Sequence, residues 1–414
     1  MLLAQLQALA PTRLSKMIPS LEIPNLVADT GSTYTHSISE SLVNEDIQLA
    51  NMFQGMELET RVAGSANRAK TWTGKRSADV FKQTVWTPDG SSLITNNEDH
   101  ALRLFVVPPD LLSNKEKQPH NLYPYTRTFF SSPIVSFSVF PGFQLADYSS
   151  CFAVVSQRGM PIQITNVLGG SQSVGCYKWT DMSNEQFLTP SSVAFRPGSD
   201  YLFAGSERRL ALFNVNNVGS EPEYQWDMPS FGLVSHISHA SKQVAVSSFS
   251  GSLALYDFDT MGEVAKTSSA PTAQGICQTL WSPNENYLHL ICRGAIEIPV
   301  LDVRMGLRHV ATLGGWDGKT SQRLWADKTI TGRGLVAGTV DGHVNTWEDI
   351  DMGIDRLCES SWKAHSSPVS AVASNPLTGI GVVATSSGER AGEEDRPVDC
   401  SLKLWEFPNE EESQ

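Results

Sequence analysis

The chain has 414 residues, of which 40% are hydrophobic and 18% charged. That composition belongs to a globular protein with a large core and excludes a disordered or low-complexity chain. No run of 18 apolar residues occurs, which predicts no membrane span, and a net charge of −13 argues against nucleic acid as a partner unless the charge is unevenly spread.

It is unevenly spread. Residues 1–64 carry −4 and residues 388–414 carry −6, which leaves only −3 on 65–387. Ends of this kind are usually solvated, and a body so close to neutral leaves room for a local basic face. The six cysteines, Cys151, Cys176, Cys277, Cys292, Cys358 and Cys400, include no Cys-x-x-Cys pair, and no Asn-x-Ser/Thr sequon is present. Both features fit a reducing compartment, nucleus or cytosol, without a zinc or redox motif.

In chain order, Met1–Ala10 is mildly apolar but interrupted by glutamines, which predicts an extended leader rather than a targeting peptide. Residues 1–64 lack sustained periodicity and are rich in Ser, Thr, Pro and Asn, so they are expected to be an N-terminal extension, mostly loop. Part of the stretch 66–84 is expected to supply the outer strand of the last repeat and so close a ring.

From there a unit of about 40–50 residues recurs. Its clearest copy is Val85-Trp-Thr-Pro-Asp-Gly-Ser-Ser-Leu-Ile-Thr95 followed by Asp99-His-Ala-Leu-Arg-Leu-Phe105. Pro-Asp-Gly is turn chemistry, because Pro presets φ and Gly accepts positive φ, and Leu102 and Leu104 alternate as a half-buried strand requires. Later copies include 193–213, 335–348 and 364–406, and the units end at 105, 164, 213, 256, 301, 347 and 405. Gaps of 59 and 58 residues at the two ends of this series flag insertions at about 109–132 and 388–398. Seven units of four short strands predict an all-β, seven-bladed WD-repeat β-propeller over 65–408, followed by an acidic tail, 409–414. In the seventh unit His365, Ser386 and Trp405, with Asp399 at the tight turn, are expected to tie together by hydrogen bonds; in other units Phe, Tyr, Ile or Leu mostly takes the Trp position.

A search for chemistry finds little. His236 and His239, the one close histidine pair, would face opposite sides of a strand and make a poor metal site. Carboxylates such as Asp99, Asp341 and Asp399 sit at tight turns, and no nucleophile elbow, phosphate loop or dinucleotide fingerprint appears. These features predict a protein that is not an enzyme, with no cofactor, no metal and no small-molecule substrate.

One constellation stands out. In four units an Arg follows the second strand, in its turn to the third: Arg158, Arg208 with Arg209, Arg293 and Arg390. In a propeller these turns open on one face around the channel mouth, and Arg323, at the start of a strand in the sixth unit, is expected near that rim. Asn96 and Phe249 hold the same turn in units one and four. Several planar guanidiniums at one rim would read phosphates, and an aromatic beside them would stack an unpaired base. Singly, each Arg also reads as a soluble turn residue or as the partner of a neighbour such as Glu207 or Glu389.

The first unit, with Trp86-Thr-Pro-Asp-Gly90, Ala101–Phe105 and then Pro108-Pro-Asp-Leu111, resembles the opening blade of the WD-repeat family of the telomerase Cajal body protein. The stretches Thr320–Trp325 with Val336–Trp347, and Ala384–Arg390 followed by acidic residues, resemble it too. The resemblance covers roughly 80–400, strongest in units one, six and seven and faint in unit four. It implies binding of small Cajal-body RNA and telomerase RNA in animal members and, in fungal members, association with snRNPs and pre-mRNA splicing. It also implies basic residues at the turn positions of units two, three, five and seven. The long acidic, Pro-rich N-terminal region of the animal proteins has no counterpart here. The expectation is therefore a monomeric, non-catalytic scaffold of the nucleus, or of nucleus and cytoplasm, that binds small nuclear RNA, snRNP proteins or both. The alternative is a protein-only adaptor, for assembly or as a ubiquitin-ligase receptor, that binds proteins through its propeller faces.

Overall fold

The computed structural model describes residues 24–31, 34, 79–108, 110–112, 119–169, 173–268, 271, 275–377, 381–389 and 399–407. Within them seven sheets of four or five strands, antiparallel but for short parallel edge strands, are arranged as the blades of a propeller. Blade one is Phe81–Trp86, Ser92–Asn97, Ala101–Val106 and Thr126–Phe129. Blades two to five begin with Ile134–Val139, Ser192–Phe195, Val234–His239 and Ile276–Trp281, blade six with Asp327–Lys328, and blade seven with Val369–Ser374. The first strand of each blade is the inner one. Inner strands of neighbouring blades line one cavity of about 330 Å³, whose walls include Gln83, His236, Gln278, Trp325 and Asp327. Among the described residues, no helix is long and apolar enough to cross a membrane.

Burial follows position in the blade. The second strands Ser92–Asn97 and Val382–Ser387 are buried at every residue, because a neighbouring blade covers each face. Val382–Ser387 accordingly reads as an unbroken small and apolar run rather than as alternation. The fourth strand Tyr224–Asp227 is mostly exposed. The blades pack through six clusters of buried side chains, the largest running through blades four, five and six around Trp281, Trp316 and Trp347. Close approach also selects glycine. Gly342, in the blade-six turn, has φ +86°, and a Cβ there would stand 2.1 Å from the His365 carbonyl oxygen.

The ring closes differently from expectation. The outer strand of blade seven is Asn25–Asp29, antiparallel to Leu402–Glu406 with Leu26 opposite Trp405. Residues 81–84 instead belong to the inner strand of blade one, and 66–78 lie outside the described residues. The closing strand's short apolar run, Leu26-Val-Ala28, had no repeat context to mark it. Trp86 Nε1 reinforces the seam by donating to the Ala373 carbonyl across blades one and seven at 3.0 Å.

The first insertion is also shorter than expected, because Thr126–Phe129 is the fourth strand of blade one. The connection before it sends His120–Asn121 onto the far edge of Asn25–Asp29 as a parallel strand. Of the second insertion, 390–398 lies outside the described residues, as do 408 and the tail 409–414.

A basic, aromatic lip on one face of the propeller

Antiparallel alternation carries the turn after each second strand to the same face as the segment entering an inner strand. Backbone bonds tie the two together around the ring: Glu98 N to Val80 O, Arg208 N to Gly232 O, Phe249 N to Leu233 O, Arg293 N to Gly275 O and Val340 N to Asp317 O, all 2.9–3.0 Å. Arg158, Arg208, Phe249 and Arg293 therefore share one lip.

They are not equivalent. Arg158 is exposed in its turn and forms no hydrogen bond or ion pair with the described residues. Arg208 adopts φ +54°, its backbone is held by Gly232 and Met228, and its side chain is 62% exposed at 3.5 Å from Glu207. Arg209 belongs to the third strand and turns outward, 3.4 Å from Asp181 and 3.6 Å from Asp227. The period of two along a strand sends it away from its neighbour Arg208, so it is not part of the lip. Asn96 is likewise not in a turn: it is buried within the second strand of blade one, its Oδ1 without a partner. Arg390 lies outside the described residues.

Arg323 sits deeper than its neighbours. Its Nη2 donates to the carbonyls of Ser235 at 2.7 Å and Cys277 at 2.9 Å. Both acceptors lie at the irregular register near the start of the blade-four and blade-five inner strands, where one residue is skipped in the pairing. A bulge of this kind leaves a carbonyl without a ladder partner, and Arg323 supplies the missing donor for two blades at once. The same irregularity opens blade seven at Ser370, whose carbonyl accepts from Trp325 N at 3.0 Å. The entry into blade six thus leans into the channel mouth. Trp325 forms a parallel bridge with Ala371 of blade seven, stacks against the Arg323 guanidinium at 4.2 Å and meets His236 edge-on at 5.8 Å.

Phe249, half-buried, lies between two guanidiniums, with Arg293 at 5.2 Å and Arg323 at 5.3 Å from its ring centre. Beside it Arg293, Gly294, Lys319, Thr320 and Ser321 line an open recess. Burial, together with the charge of Arg293, lowers the Arg323 pKa to about 10. Lys319, Thr320 and Ser321 had no expected place in the site, and Trp325 none in the channel. The one available signal was the polar run Lys319–Gln322 directly ahead of Arg323.

Blade seven instead holds a chain of polar groups bonded to one another. In blade seven His365 Nε2 meets Thr385 Oγ1 at 2.8 Å, Trp405 Nε1 donates to the same oxygen at 2.8 Å, and His365 Nδ1 lies 3.1 Å from Ser401 Oγ and 3.4 Å from Asp399. Thr385, not the expected Ser386, is the bridge. Successive strand residues point to opposite faces, and Ser386 instead meets Ser370 at 3.1 Å. Burial opposes a charged Asp399, but hydrogen bonds from His365, Ser401 and Ser366 hold its carboxyl well below the usual range. The two histidines of blade four diverge as expected: His236 bonds Thr279 toward blade five, while His239 packs 5.3 Å from Phe203 of blade three.

No protein-family model matches the chain. It is 27% identical over 289 residues to guanine nucleotide-binding protein negative regulator 1 of Schizosaccharomyces pombe, covering 66% of this chain and 72% of that protein. It is 24% identical over 356 residues to telomerase Cajal body protein 1 of Bos taurus, covering 79% of this chain but only 65% of that longer protein. Protein SWT21 of Kluyveromyces lactis matches at 25% over 294 residues, 65% of this chain and 68% of that protein. With seven blades in the structure and relatives at 24–27% identity spanning most of its length, the chain is similar to the WD-repeat family of the telomerase Cajal body protein and its fungal relatives.

Proposed function

We propose that this chain is a non-catalytic scaffold of small nuclear ribonucleoproteins, acting in the nucleus in pre-mRNA splicing or small-RNP biogenesis. It contacts single-stranded small RNA and its bound proteins through the lip that carries Arg158, Arg208 and Arg293. The observation that carries this reading is the exposure of these three guanidiniums in equivalent turns of one face, on a chain whose net charge is negative. Such a chain attracts polyanions only through local patches, and planar guanidiniums suit phosphate oxygens. Similarity to proteins named for telomerase and the Cajal body supports the same partner class.

The binding should weaken steeply with salt, because each phosphate neutralised releases counterions. The test is the quadruple variant Arg158→Ala, Arg208→Ala, Arg293→Ala and Arg390→Ala, titrated with a labelled small nuclear RNA after its fold is verified by circular dichroism. A loss of affinity of at least about tenfold with a shallower salt slope is expected. Unchanged affinity in the folded variant removes RNA from the proposal. A protein-only adaptor is the second reading, favoured by the Glu207 carboxylate beside Arg208, which blunts that charge. Under that reading, partners co-purified with the chain would stay bound after RNase treatment.

A further inference from the structure

The positive charge of the lip is concentrated and uncompensated where blades four, five and six meet. Arg323 is held by two carbonyls and two aromatic rings, and among the described residues it has no carboxylate within ion-pair distance. Its Nε is buried without a partner. Arg293 lies close enough to depress its ionisation, and neither Arg293 nor Lys319 is ion-paired among the described residues. Asp317, the acid nearest in sequence to Lys319, accepts from the Lys319 backbone N at 3.2 Å and forms no ion pair with its ammonium. Adjacent like charges, one of them desolvated, cost free energy that an incoming anion would recover. The recess between them is floored by the small hydroxyl side chains of Thr320 and Ser321 and by Gly294, all able to donate hydrogen bonds to phosphate oxygens.

The second component is the ring. Phe249 is not sunk in the core. It stands half-buried against Arg293, which lines this recess and is the exposed one of its two cationic neighbours. A guanidinium that swings from the ring to a phosphate leaves the ring free for a nucleobase, and Arg323 remains fixed behind it.

We propose that Phe249, Arg293, Lys319, Thr320 and Ser321 form a single-nucleotide subsite for unpaired RNA, the base stacking on Phe249 and the adjoining phosphate seated between Arg293 and Lys319. The subsite rests on the RNA reading given above and locates it on one part of the lip. Stacking on a phenyl ring tolerates any base, so the subsite favours a single-stranded segment without dictating its sequence. A phosphopeptide would use the two cations but not the ring.

The experiment compares two labelled ten-nucleotide probes on the full chain, oligoadenylate and the same ribose-phosphate backbone without bases. Three variants are titrated with each: Phe249→Leu, the double change Arg293→Ala with Lys319→Ala, and Arg158→Ala as a distant site on the same face. Thermal unfolding followed by circular dichroism confirms that each is folded. Phe249→Leu should weaken oligoadenylate about tenfold and leave the abasic probe unchanged. The double variant should weaken both probes and lower the salt slope by about 0.7, the value for one phosphate contact on a single strand. If Phe249→Leu binds oligoadenylate as well as the parent, or loses both probes equally, the subsite is overturned. If the parent binds no RNA at all, the broader RNA reading falls with it; if only Arg158→Ala weakens binding, the RNA reading survives and this location is wrong. Displacement of oligoadenylate by a phosphoserine peptide that is insensitive to Phe249→Leu would assign the recess to a phosphoprotein and overturn the proposal.

Discussion

Two arginines of the propeller are withdrawn from water, and their surroundings differ. Arg103 of blade one is fully buried and is answered by two carboxylates, Asp79 at 2.6 Å and Asp99 through both of its oxygens, with Tyr34 5.5 Å away over the guanidinium. Arg323 of blade six is answered only by carbonyls and rings. Around Arg103 the charge is closed on itself. The second carboxyl is in surplus, and burial pushes Asp79 up to about 6 in spite of Arg103 beside it. Around Arg323 the charge is left open, and it is there that the lip also carries Arg293, Lys319 and an accessible ring. A compensated buried ion locks a seam; an uncompensated one on a lip is available to a ligand.

Replacing each arginine by methionine tests that contrast with nearly constant volume. Arg103→Met strands two carboxyls and should cost about 3–5 kcal/mol in urea unfolding. Arg323→Met removes a donor from two carbonyls but also a desolvated charge, and about 1–3 kcal/mol is expected. Equal losses would erase the distinction between the two sites.

Acid should expose a different weakness. Burial, with smaller contributions from the charges of Arg323, Arg196 and Lys328 respectively, lowers His236 to about 3 and His239 and His289 to about 4. Because the folded values lie below the unfolded value near 6.5, the stability these neutral rings hold is complete above that pH and drains as pH falls below it. In sum the loss should be on the order of 2 kcal/mol by pH 6, read as a fall in the urea midpoint. Asp79 works in the opposite sense: its raised value favours the fold below about 4 and that contribution is lost as pH rises through 6. Asp79→Asn should therefore steepen the net acid loss, and an unaltered pH profile would show that this carboxyl titrates alike in the folded and unfolded chain.

The smallest effect expected is that of Trp405→Phe. The ring still packs against Trp362 at 6.4 Å, but the bond to Thr385 is lost, at about 1 kcal/mol. A much larger loss would mean that the His365–Thr385–Trp405 chain behaves as one cooperative unit rather than as separate bonds.

Much of the architecture was legible in the residues. The strand pattern, the Pro-Asp-Gly turn at 88–90 and the spacing of the unit ends determine seven blades, because each sheet has apolar faces that only a neighbouring sheet can cover. The same periodicity put Arg158, Arg208, Phe249 and Arg293 in corresponding turns, and therefore on one face. It misplaced Arg209 and Asn96 because a one-residue difference in where a strand ends reverses the direction of a side chain.

What the local pattern lacked is everything made by contacts distant in sequence. Asn25–Asp29 becomes the closing strand only because Leu402–Glu406 presents a free edge. Arg323 becomes a clamp only because bulges in two other blades free the carbonyls of Ser235 and Cys277. The sequence by itself determined the repeat, the blade count and the turn chemistry, since these follow from short-range periodicity. Which charges are neutralised and which remain open was decided by the closed ring, since burial and pairing depend on neighbours that the chain brings together only when folded.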